Sequence, residues 1–265
     1  MSINNKFFKH CLSNKWQDTW KHIDKDGLFK GFELYIDIDN IEDITYSKEI
    51  VSCFKDNKWD LQIHGIDLEQ YERKHGRNYK HLLNTYLEFA NLTNKEIIIT
   101  FHPITKAGIP QILTLVETYY SISELCNQIV KYNYPFKICI ENLNKLNGVK
   151  RPNIFELSPL LEIEKLSLCW DIGHDVSDNI CEYYLHDLLF KRIKNIHLHD
   201  IGVSDHYPFY YGKTDYERSL LYLKNKRYND NIVLEVALDY LMGNSYDEKI
   251  SKLCTFVKDK LNPLL

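Results

Sequence analysis

The feature that most constrains this chain is a series of short apolar runs, rich in β-branched and aromatic residues, spaced about one helix apart. They read GFELYI (31–36), WDLQIH (59–64), EIIITFH (96–102), FKICIE (136–141), LSLCWD (166–171), IKNIHLH (193–199) and NIVLEV (231–236). Near-continuous apolar character marks strands buried on both faces, as in a parallel sheet. A weaker run, KFFKHCL (6–12), supplies an eighth strand at the start. Between the runs lie segments of helical periodicity at 81–92, 113–132, 154–161 and 214–223, and a closing helix over 247–257. Strand and helix alternating along 265 residues predict an α/β fold, either a closed (β/α)8 barrel or an open doubly wound sheet. No glycine-rich phosphate loop follows any strand, and eight units fit closure, so the reading is one TIM-barrel domain spanning 1–265.

Composition narrows the setting. A net charge of −4 argues against a surface that tracks nucleic acid along its whole length, although a local basic patch is compatible with it. Seven scattered cysteines without a CxxC pair suit a reducing, cytoplasmic compartment. Charges interrupt every apolar stretch of the N-terminal segment, which therefore reads as neither signal peptide nor anchor, and no run is long enough for a membrane helix.

In a barrel of this kind the reactive groups sit at the carboxyl ends of strands. Those ends here carry, in order, His64, His102, Glu141, Asp171, His197 and Glu235, with His174, His199 and His206 close behind. Each has a bland reading. A strand-end carboxylate is commonly a helix N-cap, and a lone His is commonly hydrogen-bonded structure. Six consecutive strands ending in Lewis bases that converge on one mouth make the bland reading hard to sustain. Glu141, Asp171 and Glu235 also repel one another when ionised at close range. A divalent cation offsets both costs, and carboxylate with imidazole suits manganese, cobalt, iron or zinc better than calcium. Cys139 and Cys169 lie two residues before Glu141 and Asp171, a layer deeper, and read as barrel packing.

The segments GFELYI, LQIHG, ITFHP, ICIEN, LCWDIGH, IHLHD, DHYP and IVLEV, in this order over 31–236, resemble the xylose isomerase-like superfamily of TIM barrels. That superfamily holds sugar isomerases and epimerases as well as nucleases of the endonuclease IV class. The resemblance to the epimerases implies one metal ion on Glu141, Asp171, His197 and Glu235. It also implies that Glu141 and Glu235 act as the acid/base pair through an enediolate, and it assigns His174, with His64, His102 and His206, to the substrate. Resemblance to the nuclease branch implies three zinc ions, with His64, His102, His174 and His206 as further ligands. A ninth ligand of that branch, an Asp two residues before His206, is Ser204 here, while adjacent Asp205 is expected to point elsewhere from an extended loop. The glycine pattern that follows in that branch is degraded here, reading YPFYYGK.

The preferred expectation is thus a metal-dependent isomerase or epimerase of a sugar or sugar phosphate, with homo-oligomerisation implied by resemblance and no membrane partner. A zinc-dependent abasic-site nuclease, with nucleic acid as partner, is the alternative; a same-fold dehydratase or a non-catalytic barrel are the others. The basic stretch ERKHGRNYK (72–80) and Lys150–Arg151 read either as solvated charge or as phosphate contacts at the mouth. Tyr207, Phe209, Tyr210 and Tyr211 are candidates to wall a sugar pocket.

Overall fold

A computed structural model describes residues 6–10, 28–93, 95–145, 149–178, 185–202, 205–208, 215–237, 240 and 243–264. Eight parallel strands close a barrel in chain order. They are β1 (Lys6–His10), β2 (Gly31–Tyr35), β3 (Asp60–His64), β4 (Ile97–Phe101), β5 (Phe136–Glu141), β6 (Leu166–Asp171), β7 (Ile193–Leu198) and β8 (Asn231–Leu234). Closure is direct: β1 pairs with β2 on one side and β8 on the other. Lys6–His10 of the weak N-terminal run is therefore a strand of the barrel, its last two residues lying outside the described ones, and the open-sheet alternative is excluded.

The described helices are α1 (Ile41–Asn57), α2 (Leu68–His75), α3 (Lys80–Thr93), α4 (Gln111–Tyr132), α5 (Ile172–Ser177), α6 (Asp187–Phe190), α7 (Tyr216–Asn225) and α8 (Tyr246–Phe256). On α3 the buried residues Leu82, Leu83, Tyr86, Phe89 and Ala90 form one face at three- and four-residue spacing. Asp67 starts α2 by accepting a hydrogen bond from the Gln70 N–H at 2.9 Å. Asn133, at φ 53°, ends α4 in the left-handed conformation that Asn tolerates better than most residues. The helix expected over 154–161 is instead a turn followed by a short 3-10 helix, Ser158–Glu162, because Pro159, well inside the expected span, lacks the N–H that an α-helix would bond to the Phe155 carbonyl. Helices α1 and α2 were not anticipated, since charged residues break their apolar pattern.

Successive strand residues face opposite sides, and here the two sides differ in kind. Phe32, Leu34, Ile63, Ile99, Phe101, Ile140, Trp170 and Ile196 belong to the buried apolar core. The alternate positions of the same strands hold Glu33, Gln62, Thr100, Glu141, Asp171, Asn195 and His197, all buried. Bonds among Glu33 on β2, Thr100 on β4 and Asn195 on β7 join strands that are not neighbours, so these side chains meet inside the barrel. The barrel interior is thus polar below the mouth as well as at it, rather than an apolar barrel with a polar rim. Among the described residues no helix is long and apolar enough to cross a membrane.

Candidate metal centre

The strand ends bring the expected residues together. Glu141 and Asp171 close β5 and β6, His197 is the penultimate residue of β7, and Glu235 follows β8 directly. One ligand atom from each of these four lies within 4.8 Å of the others, and all four residues are buried. His197 Nδ1 is 2.5 Å from Glu235 Oε2 and 3.3 Å from Glu141 Oε2. Two further groups abut this one: His64, His102 and Glu141, and His174, His199 and His206. Glu141 Oε2 lies 3.5 Å from Nε2 of both His64 and His102, so one carboxylate serves two groups.

Backbone and neighbours fix these orientations. Asp171 is the helix cap the sequence allowed, and it keeps a second oxygen as a candidate ligand. Its Oδ1 caps α5 by accepting from the His174 N–H at 2.8 Å, while its Oδ2 is buried without a hydrogen bond. Asn142 holds the same turn, accepting from the Asp171 N–H at 2.7 Å and donating to Asp175 Oδ1 at 2.9 Å. Trp170 Nε1 donates to the other oxygen of Asp175. His174 Nδ1 donates to the Asn142 carbonyl at 3.0 Å, which leaves Nε2 as the basic nitrogen. Gly173 lies against the His199 ring, where a Cβ would come within 2.3 Å of Cε1.

Asp205 does not point elsewhere. His206 has φ 61°, so the loop is kinked rather than extended, and both side chains turn toward the centre. Asp205 Oδ1 is 3.1 Å from His206 Nδ1, and its Oδ2 is 3.8 Å from His174 Nε2. A carboxylate thus stands beside the three imidazoles although position 204 is Ser; Ser204 itself lies outside the described residues.

The electrostatics are those of carboxylates and imidazoles packed together away from water. Burial by itself would raise the Glu141 carboxyl, yet His197 and His102 outweigh it and hold it well below the usual range. Burial likewise opposes ionisation of Asp171, and His174 and His199 reverse the balance. Burial would lower His197, but Cys169, Glu141, Glu33 and Glu235 around it raise it well above the ordinary value. His199 is raised against its burial by Asp171, and His206 is raised against its burial to about 11 by Glu235 and Asp205. His174 goes the other way, lowered chiefly by burial. Protons on His197, His199 and His206 therefore supply the positive charge that the carboxylates require. Both oxygens of Glu141 and Nδ1 of His197 nonetheless lack a well-formed hydrogen bond, as expected where a cation would complete the set. The residues present fit a divalent ion by donor type, convergence and burial.

Other expectations are redistributed. Arg73, Lys74 and Arg77 of the basic stretch pair with Glu69, Asp39 and Glu72. Lys150 pairs with Glu156, and Arg151 donates to the carbonyl and the side chain of Asn144, both at 2.6 Å. Tyr207 stacks on Tyr240 with ring centroids 4.0 Å apart, and 209–211 lie outside the described residues. Cys139 and Cys169 are buried and free. Cys169 comes within ligand range of Glu141 and His197, but burial raises its thiol well above the ordinary value, against the thiolate a metal would need. Glu33, His199 and Asp205 join the site without having been counted as ligands or contacts. Glu33 was detectable as the lone charge inside an otherwise apolar run.

Neither a family model nor a curated protein matches the sequence. Solved structures do. A xylose isomerase domain protein from Alicyclobacillus acidocaldarius matches with TM-score 0.72 at 11% identity, covering 98% of each chain. The fold is that of the xylose isomerase-like TIM barrels. D-psicose 3-epimerase from Clostridium cellulolyticum, solved with D-tagatose, matches at TM-score 0.68 and 14% identity over 96% of this chain and 97% of that one. Endonuclease IV from Thermus thermophilus matches at TM-score 0.59 and 14% identity over 97% and 99%. Xylose isomerase-like barrels thus include both an epimerase and a nuclease, and identities this low speak for the shared fold.

Proposed function

We propose that this chain is a divalent-metal enzyme that isomerises or epimerises a small sugar or sugar phosphate. One observation carries the reading: Glu141, Asp171, His197 and Glu235, all buried, bring ligand atoms within 4.8 Å of one another at the strand ends. A bound divalent ion would supply Lewis acidity toward a carbonyl and its neighbouring hydroxyl. Glu141 and Glu235 stand on β5 and just beyond β8, so a sugar carbon held between them has a carboxylate on either side. Glu141, kept ionised by His197 and His102, takes the proton from carbon. Glu235, 2.8 Å from the protonated His206 Nε2, is placed to return one. His174, with a basic Nε2, and His102, exposed at 43%, face the substrate. The neutralised basic stretch supports a small ligand over a long polyanion.

A second reading, a multi-zinc phosphodiesterase, is favoured by the two adjoining His groups and by Asp205 turning inward. The test is a panel of ketoses, aldoses and their phosphates incubated with metal-loaded protein in deuterated water, beside a duplex containing an abasic site. Deuterium entering a sugar carbon supports the isomerase, whereas nicking without exchange supports the nuclease and defeats the first reading.

A further inference from the structure

We propose that Glu33 is a positioning residue that fixes which nitrogen of His197 is offered to the metal. The inference rests on the reading that Glu141, Asp171, His197 and Glu235 hold a divalent ion. The two nitrogens of His197 face different surroundings. Nδ1 faces Glu235 and Glu141, at 2.5 and 3.3 Å. Nε2 faces Glu33, 3.1 Å from Oε1 and 3.2 Å from Oε2. It also lies 3.3 Å from Asn195 Nδ2, whose two protons are directed to Glu33 Oε2 and Thr100 Oγ1 at the shorter distance of 3.1 Å. A neutral imidazole carries one N–H, and an ionised carboxylate only accepts. In the neutral ring that would bind an ion, Glu33 therefore selects the Nε2–H tautomer and leaves the lone pair at Nδ1, toward the other three candidate ligands. The opposite tautomer would set a nitrogen lone pair against a carboxylate in a buried space, which is costly.

Glu33 is itself held. It lies in the middle of β2, fully buried, and its side chain crosses the barrel interior. Asn195 Nδ2 donates to Glu33 Oε2 and to Thr100 Oγ1, at 3.1 Å each, so three strands set the carboxylate's position. A buried carboxylate at a site that an aliphatic residue could fill is expensive to keep, and orienting a ligand is a function that would retain it. Partners of this kind fix the ring and raise ligand basicity, and their removal weakens metal binding.

The experiment compares zinc affinity, by competition with a chromophoric chelator, in the wild type, Glu33→Gln and Glu33→Asp, taking the site lost in His197→Ala as the reference. Circular dichroism and melting of the metal-free chains run alongside. The expected result is affinity weakened about 10- to 100-fold in Glu33→Gln, partly recovered in Glu33→Asp, with metal-free melting little changed. Long-range nitrogen–proton spectra of zinc-loaded wild type should show His197 protonated on Nε2. Unchanged affinity in Glu33→Gln, or a His197 proton on Nδ1, overturns the assignment, as does a loss that only tracks unfolding. Should Glu33→Gln fail to fold, the wild-type spectrum alone decides. Wild type that binds no zinc defeats the metal reading and this inference together; wild type that binds it with Glu33→Gln equal to it defeats this inference alone.

Discussion

Loading the central group with zinc should release protons in a number set by the structure. In the double variant His102→Ala/His199→Gln both flanking groups lose an imidazole, leaving Glu141, Asp171, His197 and Glu235 to bind. In that variant Glu141 keeps its largest lowering partner, His197, and Asp171 keeps His174, so both are expected to stay ionised with no proton to give, whereas His197 is raised well above the ordinary histidine value of 6.5. A metal ligand must bind as the free base, so the ion displaces about one proton, from His197. The sign follows: protonation of His197 competes with the metal, so affinity increases with pH and continues to do so above pH 6.5, until the raised value is passed. One proton corresponds to about tenfold, or ~1.4 kcal/mol, per pH unit in that window. In the wild type, an ion in the His174, His199 and His206 group displaces about two more, because His199 and His206 are raised while His174 is lowered. Isothermal titration at pH 6.5 in buffers of different ionisation enthalpy counts these protons directly. No proton release in the double variant, or affinity flat with pH, would refute the electrostatic account of the centre.

Glu141→Gln and Glu235→Gln should each reduce solvent-deuterium exchange by at least about 10²-fold with the circular dichroism spectrum retained, and near-normal exchange in either would contradict the acid/base roles. Gly173→Ala puts a Cβ against the His199 ring and should cost about 1–3 kcal/mol in urea denaturation, with weakened binding at the three-imidazole group. Phe101→Ala empties a fully buried core position and should cost about 3–5 kcal/mol; a loss below about 1 kcal/mol would mean the strand is not packed as described. Replacing Arg73 and Lys74 by Ala should change stability by less than about 1 kcal/mol and leave turnover unaltered, because these exposed cations pair with local carboxylates.

Much of the barrel is legible in the sequence because each strand is short, apolar and bounded. Even in the faint run at 6–12, Lys6–His10 proved a strand, the one that pairs with both β2 and β8 to close the ring. The helices at Ile41–Asn57 and Leu68–His75 were missed because their polar faces dominate the pattern. The strand-end carboxylates and imidazoles stood out because parallel strands deliver every C-terminal end to one mouth, whatever the loops do. Asp205 was misjudged for a local reason. Alternation in an extended loop sends neighbouring side chains apart, but the left-handed backbone at His206 cancels that rule, and nothing in DHY signals it. Glu33 was visible as a charge in GFELYI, yet its partner His197 lies far along the chain, and only barrel closure brings the two into contact.

The most direct test of the account is anomalous diffraction from crystals soaked with manganese or zinc. The account requires a peak bounded by Glu141 and Glu235 carboxylate oxygens, an Asp171 oxygen and His197 Nδ1. A well-ordered pocket with no peak among those four side chains, at metal concentrations that label other sites, would contradict it.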